Sequence, residues 1–375
     1  MHNVLQKRSL VPTCWEFPFR RSFMGSRSLQ REFSRPTVLR SAIGPLIIAA
    51  LALGALVILA LLLSETPGRT LRYFFLGPVQ NTYYAGNMIN TAIPLIFGGL
   101  GISLAMRAGS FNLGGEGQLY GGAFVTTISA IALGSWGLAG AVLSLIFGAL
   151  TGGVLAGFSG FLRKQWNTNE LISSFLLSNV VVLLVSYLIA GPFQDPETNL
   201  IATRRIAESF RLMRILEPSN LSSAVYFALL AVVLVHLYLY RMKSGYELRM
   251  VGLNPMFARY GGIRVSWYRI WSMFLSGALY GLGGGFAIFG TYYASVREFS
   301  TGMGWNGLAV ALIARFQPVA VIPAALFFAY IESGARSAML HSDVTFEIAS
   351  IVQAVVFFLV TSSLLQRLGT KRRSV

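Results

Sequence analysis

MRAGSFNLGGEGQLYGGA, Met106–Ala123, is the stretch that decides how this chain is read. It sets Arg107, Asn112, Glu116 and Gln118 among closely spaced glycines, between two strongly apolar runs. A soluble loop carries Ser, Asp, Asn and Pro for turn formation. The composition here is instead that of a helix broken at membrane depth. Glycines let backbones pack closely, and irregular backbone is tolerated in a bilayer only where protein or a wet cavity covers it. Polar residues at that depth are costly, which makes them candidates for a transport path. The competing reading of the same residues is a short cytoplasmic turn between two helices.

Composition supports the membrane reading. Of 375 residues, 54% are hydrophobic and 12% charged, against about 25% charged in soluble domains, and the mean hydropathy is +0.62. The expected fold class is all-α: a polytopic membrane helix bundle of about ten transmembrane helices, with broken or half-helices. The net charge of +16 does not call for nucleic acid as a partner. The basic residues collect in short segments between apolar runs, the pattern that reports topology. Cys14 is the only cysteine, which excludes a disulfide framework and a cysteine metal site. His2, His236 and His341 are scattered, which argues against a histidine metal site. No cofactor is implied. GxxxxGK[ST], HExxH and GxSxG are all absent, so no residue is assigned a catalytic role and any ATP hydrolysis belongs to another subunit.

Taken in order, residues 1–40 carry Lys7, Arg8, Arg20, Arg21, Arg27, Arg31, Arg35 and Arg40 against Glu16 and Glu32, a basic cytoplasmic arm that attracts anionic membrane lipid. Residues 41–368 form the transmembrane domain, and 369–375 a basic cytoplasmic tail. Ile43–Leu63 is long enough to span and is not a cleavable signal. Residues 65–83 read as an external linker. Tyr84–Ala105, Gly117–Leu133, Leu138–Leu162 and Glu170–Ala190 follow as spans, and the small residues Gly140, Gly148, Gly152, Gly153 and Gly157 predict close helix contact. Arg163 and Lys164 place one end of the third of these in the cytoplasm. Residues 191–222 are polar and charge-balanced, which fits the external side.

Ser223–Tyr240 then returns to a basic cytoplasmic segment, Arg241–Arg269. Trp271–Gly290 spans outward; its GLGGG, Gly281–Gly285, reads as helix packing. A second broken-looking stretch occupies Ser295–Ala309. Leu308–Phe316 and Val319–Ser333 are short for spans, and Ile348–Leu365 closes the bundle. Phe111-x-x-Gly114-x-x-Gly117-x-x-x-Gly121 echoes Phe299-x-x-Gly302-x-Gly304-x-x-Gly307, each after a span with a glycine cluster, one ending inside and one outside. That arrangement is the one expected of inverted repeats whose interrupted helices line a central site.

The second informative stretch is SGYELRMVGLNPMFARYGGI, Ser244–Ile263. Gly245 suits a helix end, Glu247–Val251 a short amphipathic piece, Asn254-Pro255 a helix start, and Gly261-Gly262 its stop. A compact helical loop with basic and apolar faces is what docking to a cytosolic partner needs. A plain solvated loop of positive charge is the other reading.

These two stretches, together with NTNELISSFLLSN and GMGWNGLAVALIARFQP, resemble over residues 84–365 the permease subunits of the ABC transporter group that imports nucleosides, simple sugars and branched-chain amino acids, nearest its nucleoside-type branch. The resemblance implies a bacterial inner-membrane, multi-pass permease. Its implied partners are a cytoplasmic ATP-binding subunit, a second related permease making a heterodimer, and an extracytoplasmic substrate-binding lipoprotein. Phe111, Asn112, Gly114, Glu116, Gly117 and Gln118 match the group's FNIGxEGQ-type motif, and Asn169, Glu170 and Ser173 its NExIS-type motif. Asn254, Pro255, Ala258, Arg259 and Tyr260 match its coupling motif, within the loop Gly245–Gly262 that also holds Glu247 and Gly252.

The resulting expectation is a permease that forms the path for a small polar solute, a nucleoside before a sugar or a vitamin. Its pathway candidates are Phe111, Asn112, Glu116, Gln118, Asn169, Glu170, Trp305 and Asn306, because amides bind hydroxyls and base edges and Trp stacks on rings. The alternative for Glu116 is a helix-to-helix pair with Arg107. Asp195–Ser222 and Tyr292–Ser300 are expected at the external mouth. The rival class is a secondary transporter or channel, with Arg107, Glu116, Glu170, Glu332 and Arg336 as an ion or proton relay.

Overall fold

The computed structural model describes residues 64–300 and 302–345, with isolated positions at 54, 57, 58, 61, 347, 350, 351, 353–355 and 358. The basic arm, nearly all of Ile43–Leu63, most of Ile348–Leu365 and the basic tail lie outside the described residues. Within them the regular elements are helical, with three isolated bridges. In chain order they are α1 (Pro67–Leu76), α2 (Thr82–Arg107), α3 (Gly115–Ala132), α4 (Gly137–Trp166), α5 (Glu170–Ala190), α6 (Ala224–Arg241), α7 (Lys243–Leu253), α8 (Pro255–Tyr260), α9 (Val265–Ala287), α10 (Met303–Ile313) and α11 (Val321–His341).

Six of these segments are long and apolar enough to cross a membrane: α2, α4 with the turn before it, α5, α6, α9 with a π-helical turn to Tyr292, and α11 with the turn before it. The chain is therefore a multi-pass membrane protein, and the figure of about ten crossings is not reached among the described residues. Three expectations need correction. Leu308–Phe316 and Val319–Ser333 are not two short spans: the first belongs to the eleven-residue α10, the second to a 21-residue helix that runs on to His341. The linker 65–83 is largely helical, and Phe74 of α1 is buried with its carbonyl close against Gly334 of α11. Gly245 ends no helix, because α7 runs straight through it.

Small residues set the closest crossings. A Cβ on Gly277 would lie 2.0 Å from the Gly152 carbonyl oxygen, and one on Gly281 would lie 2.2 Å from that of Gly148. Backbones at that separation exclude any side chain, so α4 and α9 meet along a stripe of glycines four residues apart on each helix. The helix-packing reading of Gly281–Gly285 holds. Elsewhere large rings fill the core, with Phe97, Tyr120, Tyr280, Phe289 and Phe328 fully buried, among a minority of buried polar side chains.

At one end of the bundle Arg107 Nε donates to the Phe316 carbonyl (3.1 Å), Tyr240 donates to Gln317 Oε1 (2.7 Å), and Arg163 pairs with Glu170. The positive-inside rule makes this basic end the cytoplasmic one. At the other end the segments expected at the external mouth pair with each other. Thr203 N–H donates to the Ser295 carbonyl (3.0 Å), Ile206 N–H to that of Tyr293 (2.9 Å), and Arg297 N–H to that of Ile201 (3.0 Å). Beside them the Asp343 carboxylate accepts from Glu65 N–H (2.5 Å), Ser64 Oγ (2.8 Å) and Thr66 Oγ1 (2.9 Å), closing the entry to α1 against the end of α11.

Candidate functional site

The helix break read from the sequence is real and lies deep in the bundle. After α2 the chain turns at Gly109 (φ +70°) and runs back as non-helical backbone through Ser110–Gly114. It becomes helical at Gly115, where a Cβ would lie 2.5 Å from the Tyr280 ring. Tyr280 is 15 residues into α9, about 22 Å from the basic end at 1.5 Å per residue, roughly halfway along the 28 residues of that span. The second break arrives from the opposite end. Backbone from Tyr293 to Ser300 leads towards α10, which starts after Gly302 (φ +84°) and whose first turn meets the first turn of α3: a Cβ on Gly304 would lie 2.2 Å from Glu116 N. Gly114 and Gly302, the glycines paired in the sequence echo, are the N-cap residues of the two helices.

Different groups hold the two helix starts. At α3, the Asn112 amide donates to Gln118 Oε1 (2.8 Å) and Ser276 Oγ (3.0 Å). Its Oδ1 accepts from Gln118 Nε2 (2.8 Å) and Gly114 N–H (2.9 Å). Two serines of α5 extend the cap: Ser174 Oγ accepts from Leu113 N–H (3.1 Å) and Ser178 Oγ from Gly117 N–H (2.7 Å). Three of these bonds satisfy backbone N–H groups at and just before the helix start, those of Leu113, Gly114 and Gly117, and the others brace Asn112 against Gln118 and Ser276. At α10 the capping side chain is Glu116, whose Oε2 accepts from Gly304 N–H at 2.8 Å. A carboxylate on a helix start is favoured by both the hydrogen bond and the helix dipole. Tyr280 ties the joint from α9, donating to the Gly304 carbonyl (2.9 Å).

The pathway candidates thus divide. Asn112 and Gln118 are buried, 1% and 2% exposed, with their hydrogen bonds made inside the bundle. Glu116, Phe111 and Asn306 are partly exposed, and Trp305 is 42% exposed, edge-to-face with Phe175 at 5.8 Å. Glu116 does not pair with Arg107. Asn169 and Glu170 belong to the basic end: Asn169 caps α5 by accepting from Leu171 N–H (3.0 Å), and Glu170 faces Arg163. The five residues proposed as a relay fall into separate partnerships. Arg107 bonds Phe316, Glu116 bonds Gly304, Glu170 bonds Arg163, and Glu332 bonds Arg336 at 2.7 Å. Sequence reading missed Tyr280, Ser276, Ser174 and Ser178. The one signal for them was a tyrosine and serines set among small residues in the middle of apolar runs.

The loop 244–263 forms a two-helix foot. Asn254 caps α8 by accepting from Met256 N–H and Phe257 N–H, both 3.1 Å, and Ala258 is buried with Val251 and Val265. Glu247 accepts from Tyr268 Oη (2.5 Å), which anchors the foot to α9 rather than presenting the carboxylate outward. The outer surface is apolar with a basic edge: Leu253, Met256, Phe257 and Tyr260 are exposed, Tyr260 by 87%, beside exposed Arg259. Its inner surface bears on the end of α2. A Cβ on Gly252 would lie 2.1 Å from the Arg107 carbonyl oxygen and 3.0 Å from Gly109 N.

Comparison with known proteins agrees with this architecture. The family described as branched-chain amino acid transport system / permease component matches residues 84–361. Among curated relatives, the probable riboflavin import permease protein RfuC of Treponema pallidum is 34% identical over 318 residues, 84% of each chain. The guanosine ABC transporter permease protein NupP of Bacillus subtilis is 32% identical over 323 residues, 84% of this chain and 91% of its own. The glucose ABC transporter permease protein TsgB13 of Haloferax volcanii is 30% identical over 332 residues, 86% and 87%.

Proposed function

The chain belongs to the branched-chain amino acid transport system / permease component family and is a permease subunit of an ABC importer, and from that premise we propose that α10 is its moving gate, worked from the cytoplasm through the foot. The observation that carries this is the abutment of the two interrupted helices, Gly304 N–H on Glu116 at 2.8 Å, in the middle of the bundle. Left-handed residues flank α10 on both sides, Glu298 and Gly302 before it and Arg315 and Phe316 after it. Such backbone concentrates at hinges and switch regions. Arg107 holds the Phe316 carbonyl at the lower hinge while its own carbonyl rests on Gly252 of the foot. A push on the foot therefore reaches α10 through one residue.

In this reading the chain makes about ten crossings: the six apolar spans, the passage that ends in α3, the passage that ends in α10, and the two apolar runs that lie mostly outside the described residues. It sits in a bacterial cytoplasmic membrane. ATP is hydrolysed by a separate cytoplasmic subunit docked on Leu253, Met256, Phe257, Arg259 and Tyr260, and solute is delivered by an extracytoplasmic binding lipoprotein. Phe111, Glu116, Trp305 and Asn306 face a path completed by a second permease. Asn112 and Gln118 support that path from behind. The Trp305–Phe175 pair offers a ring-stacking surface, which favours a nucleoside over a sugar; a vitamin with a planar ring fits the same surface.

Arg259→Glu in the full complex tests the docking. The expected result is loss of copurifying ATPase and of uptake, with the permease still in the membrane at its normal level. Unchanged copurification and uptake refute docking there.

A further inference from the structure

The spans α4, α5 and α6 are the ones least covered by the rest of the chain. Along residues 138–161, 172–187 and 226–237 every exposed position carries a hydrophobic side chain except one, Asn179 of α5. It stands nearly halfway along that 21-residue helix, about 14 Å from Glu170 at 1.5 Å per residue, so its amide lies at mid-membrane depth. One of its groups is used: Nδ2 donates to the Phe175 carbonyl (2.9 Å), one turn back in the same helix. Oδ1 and the second amide hydrogen have no partner among the described residues. An amide left open in hydrocarbon is costly, and a position facing lipid takes an apolar side chain instead. The face around Asn179 therefore meets water or a polar molecule.

Its neighbours show where that face points. Positions 175, 179 and 186 fall on one side of α5, at spacings of four and seven residues. Phe175 packs on Trp305 in the first turn of α10 (5.8 Å). Ser186 Oγ lies 3.4 Å from Tyr120 Oη, which accepts from Glu298 N–H (3.1 Å) in the external segment that leads towards α10. The other edge of α5 turns to α4, since a Cβ on Gly121 would lie 3.0 Å from Val181 and 3.6 Å from Leu155. Asn179 thus stands on the α10 side, between the ring pair and the external mouth.

We propose that Asn179 lines the translocation path and reads the polar edge of a planar ring stacked on Trp305, an inference that rests on the path reading of Trp305 given above. Its open Oδ1 accepts and its open N–H donates. Side by side in one plane, the two match the adjacent ring N–H and carbonyl of a base such as guanine. Sugar hydroxyls hold no such coplanar pair.

Thiol accessibility and uptake by the assembled transporter test position and selectivity separately. In a Cys14→Ser background, Asn179→Cys is expected to take up a charged, water-soluble thiol reagent, read as added mass on this chain, while Leu184→Cys on the α4 edge stays unlabelled. Equal labelling of the two overturns the path assignment whatever the solute. Asn179→Leu is expected to lower guanosine uptake about tenfold, towards the low end of what a paired amide contact to a base discriminates. It should spare purine riboside, which keeps ring and ribose but lacks the carbonyl and the ring N–H, and Asn179→Gln should keep the guanosine preference. Equal losses for both nucleosides, wild-type uptake of both, or loss of the second permease from the purified Asn179→Leu complex overturns the base-reading role. If the wild type carries neither nucleoside while Asn179→Cys alone is labelled, the nucleoside reading and the base-edge role fall and the path position stands.

Discussion

The helices α3 and α10 begin in matching ways, each after a glycine N-cap and a stretch of non-helical backbone, yet they are held very differently. The start of α3 is locked by Asn112, Gln118, Ser174 and Ser178, contributed by its own segment and by α5, with Ser276 of α9 behind them. The start of α10 rests on one side chain of its counterpart, the Glu116 carboxylate, which bonds Gly304 N–H, Gly302 and Ser300, and on Tyr280. A helix start capped by side chains from two elements costs more to open than one whose cap is a single side chain, and on the function proposed above the pair is a fixed jaw and a hinged one.

The largest effect should come from wedging the jaws apart. Gly304→Val places a side chain where the Glu116 backbone already lies, and neither backbone can yield without moving a whole helix. Uptake should fall to background while the complex still assembles; uptake near wild type would mean that the two starts separate freely and that the abutment is not the gate.

Next comes the fixed jaw itself. Asn112→Ala removes four hydrogen bonds, worth about 2 kcal/mol together at roughly 0.6 each in membrane helices, and should lower thermal stability accordingly. Glu116→Gln keeps an acceptor for Gly304 N–H and should change stability by less than about 1 kcal/mol, the helix-dipole contribution of one charge. If the two variants melt alike, the contrast between the jaws is wrong.

A smaller, kinetic effect is expected at the transmission point. Arg107→Ala frees the Phe316 carbonyl, so ATP hydrolysis should continue while uptake per ATP drops about tenfold, within the usual range of site-to-site coupling. Parallel losses of both rates would assign Arg107 to folding instead.

The smallest change should come at the clasp far from both jaws. The Glu65 N–H, then the hydroxyls of Ser64 and Thr66, hold the Asp343 carboxyl well below the usual range, at about 2. A carboxyl lowered in this way contributes its stabilisation above its ordinary value near 3.8 and loses it as pH falls through about 2. The protection of α1 amides from hydrogen exchange, relative to the intrinsic rate at each pH, should therefore be constant from pH 5 to 8. Asp343→Asn should raise exchange at α1 alone, with α3 and α10 unchanged.

Much of this was legible before any coordinates. Hydropathy and basic clusters report spans and sides because both act over a few adjacent residues, and the glycine-rich stretches announced the two breaks. Legibility ended at Asn112 and Glu116. Both sit in one short motif, yet the amide is consumed in locking α3 and the carboxylate crosses to α10. Likewise Glu170 reads as a pathway acid, but Arg163, seven residues earlier, occupies it across a tight turn.

By itself the sequence determined that this is a membrane helix bundle interrupted near residues 110 and 300, with a basic foot between them, because each of these depends on local composition. Only the tertiary structure decided that Glu116 caps a helix start 188 residues away, and that Gly252 bears on Arg107. Glycine permits such close backbone approach at many places along the chain. Which glycines use it depends on how the long helices cross, and no local pattern encodes that.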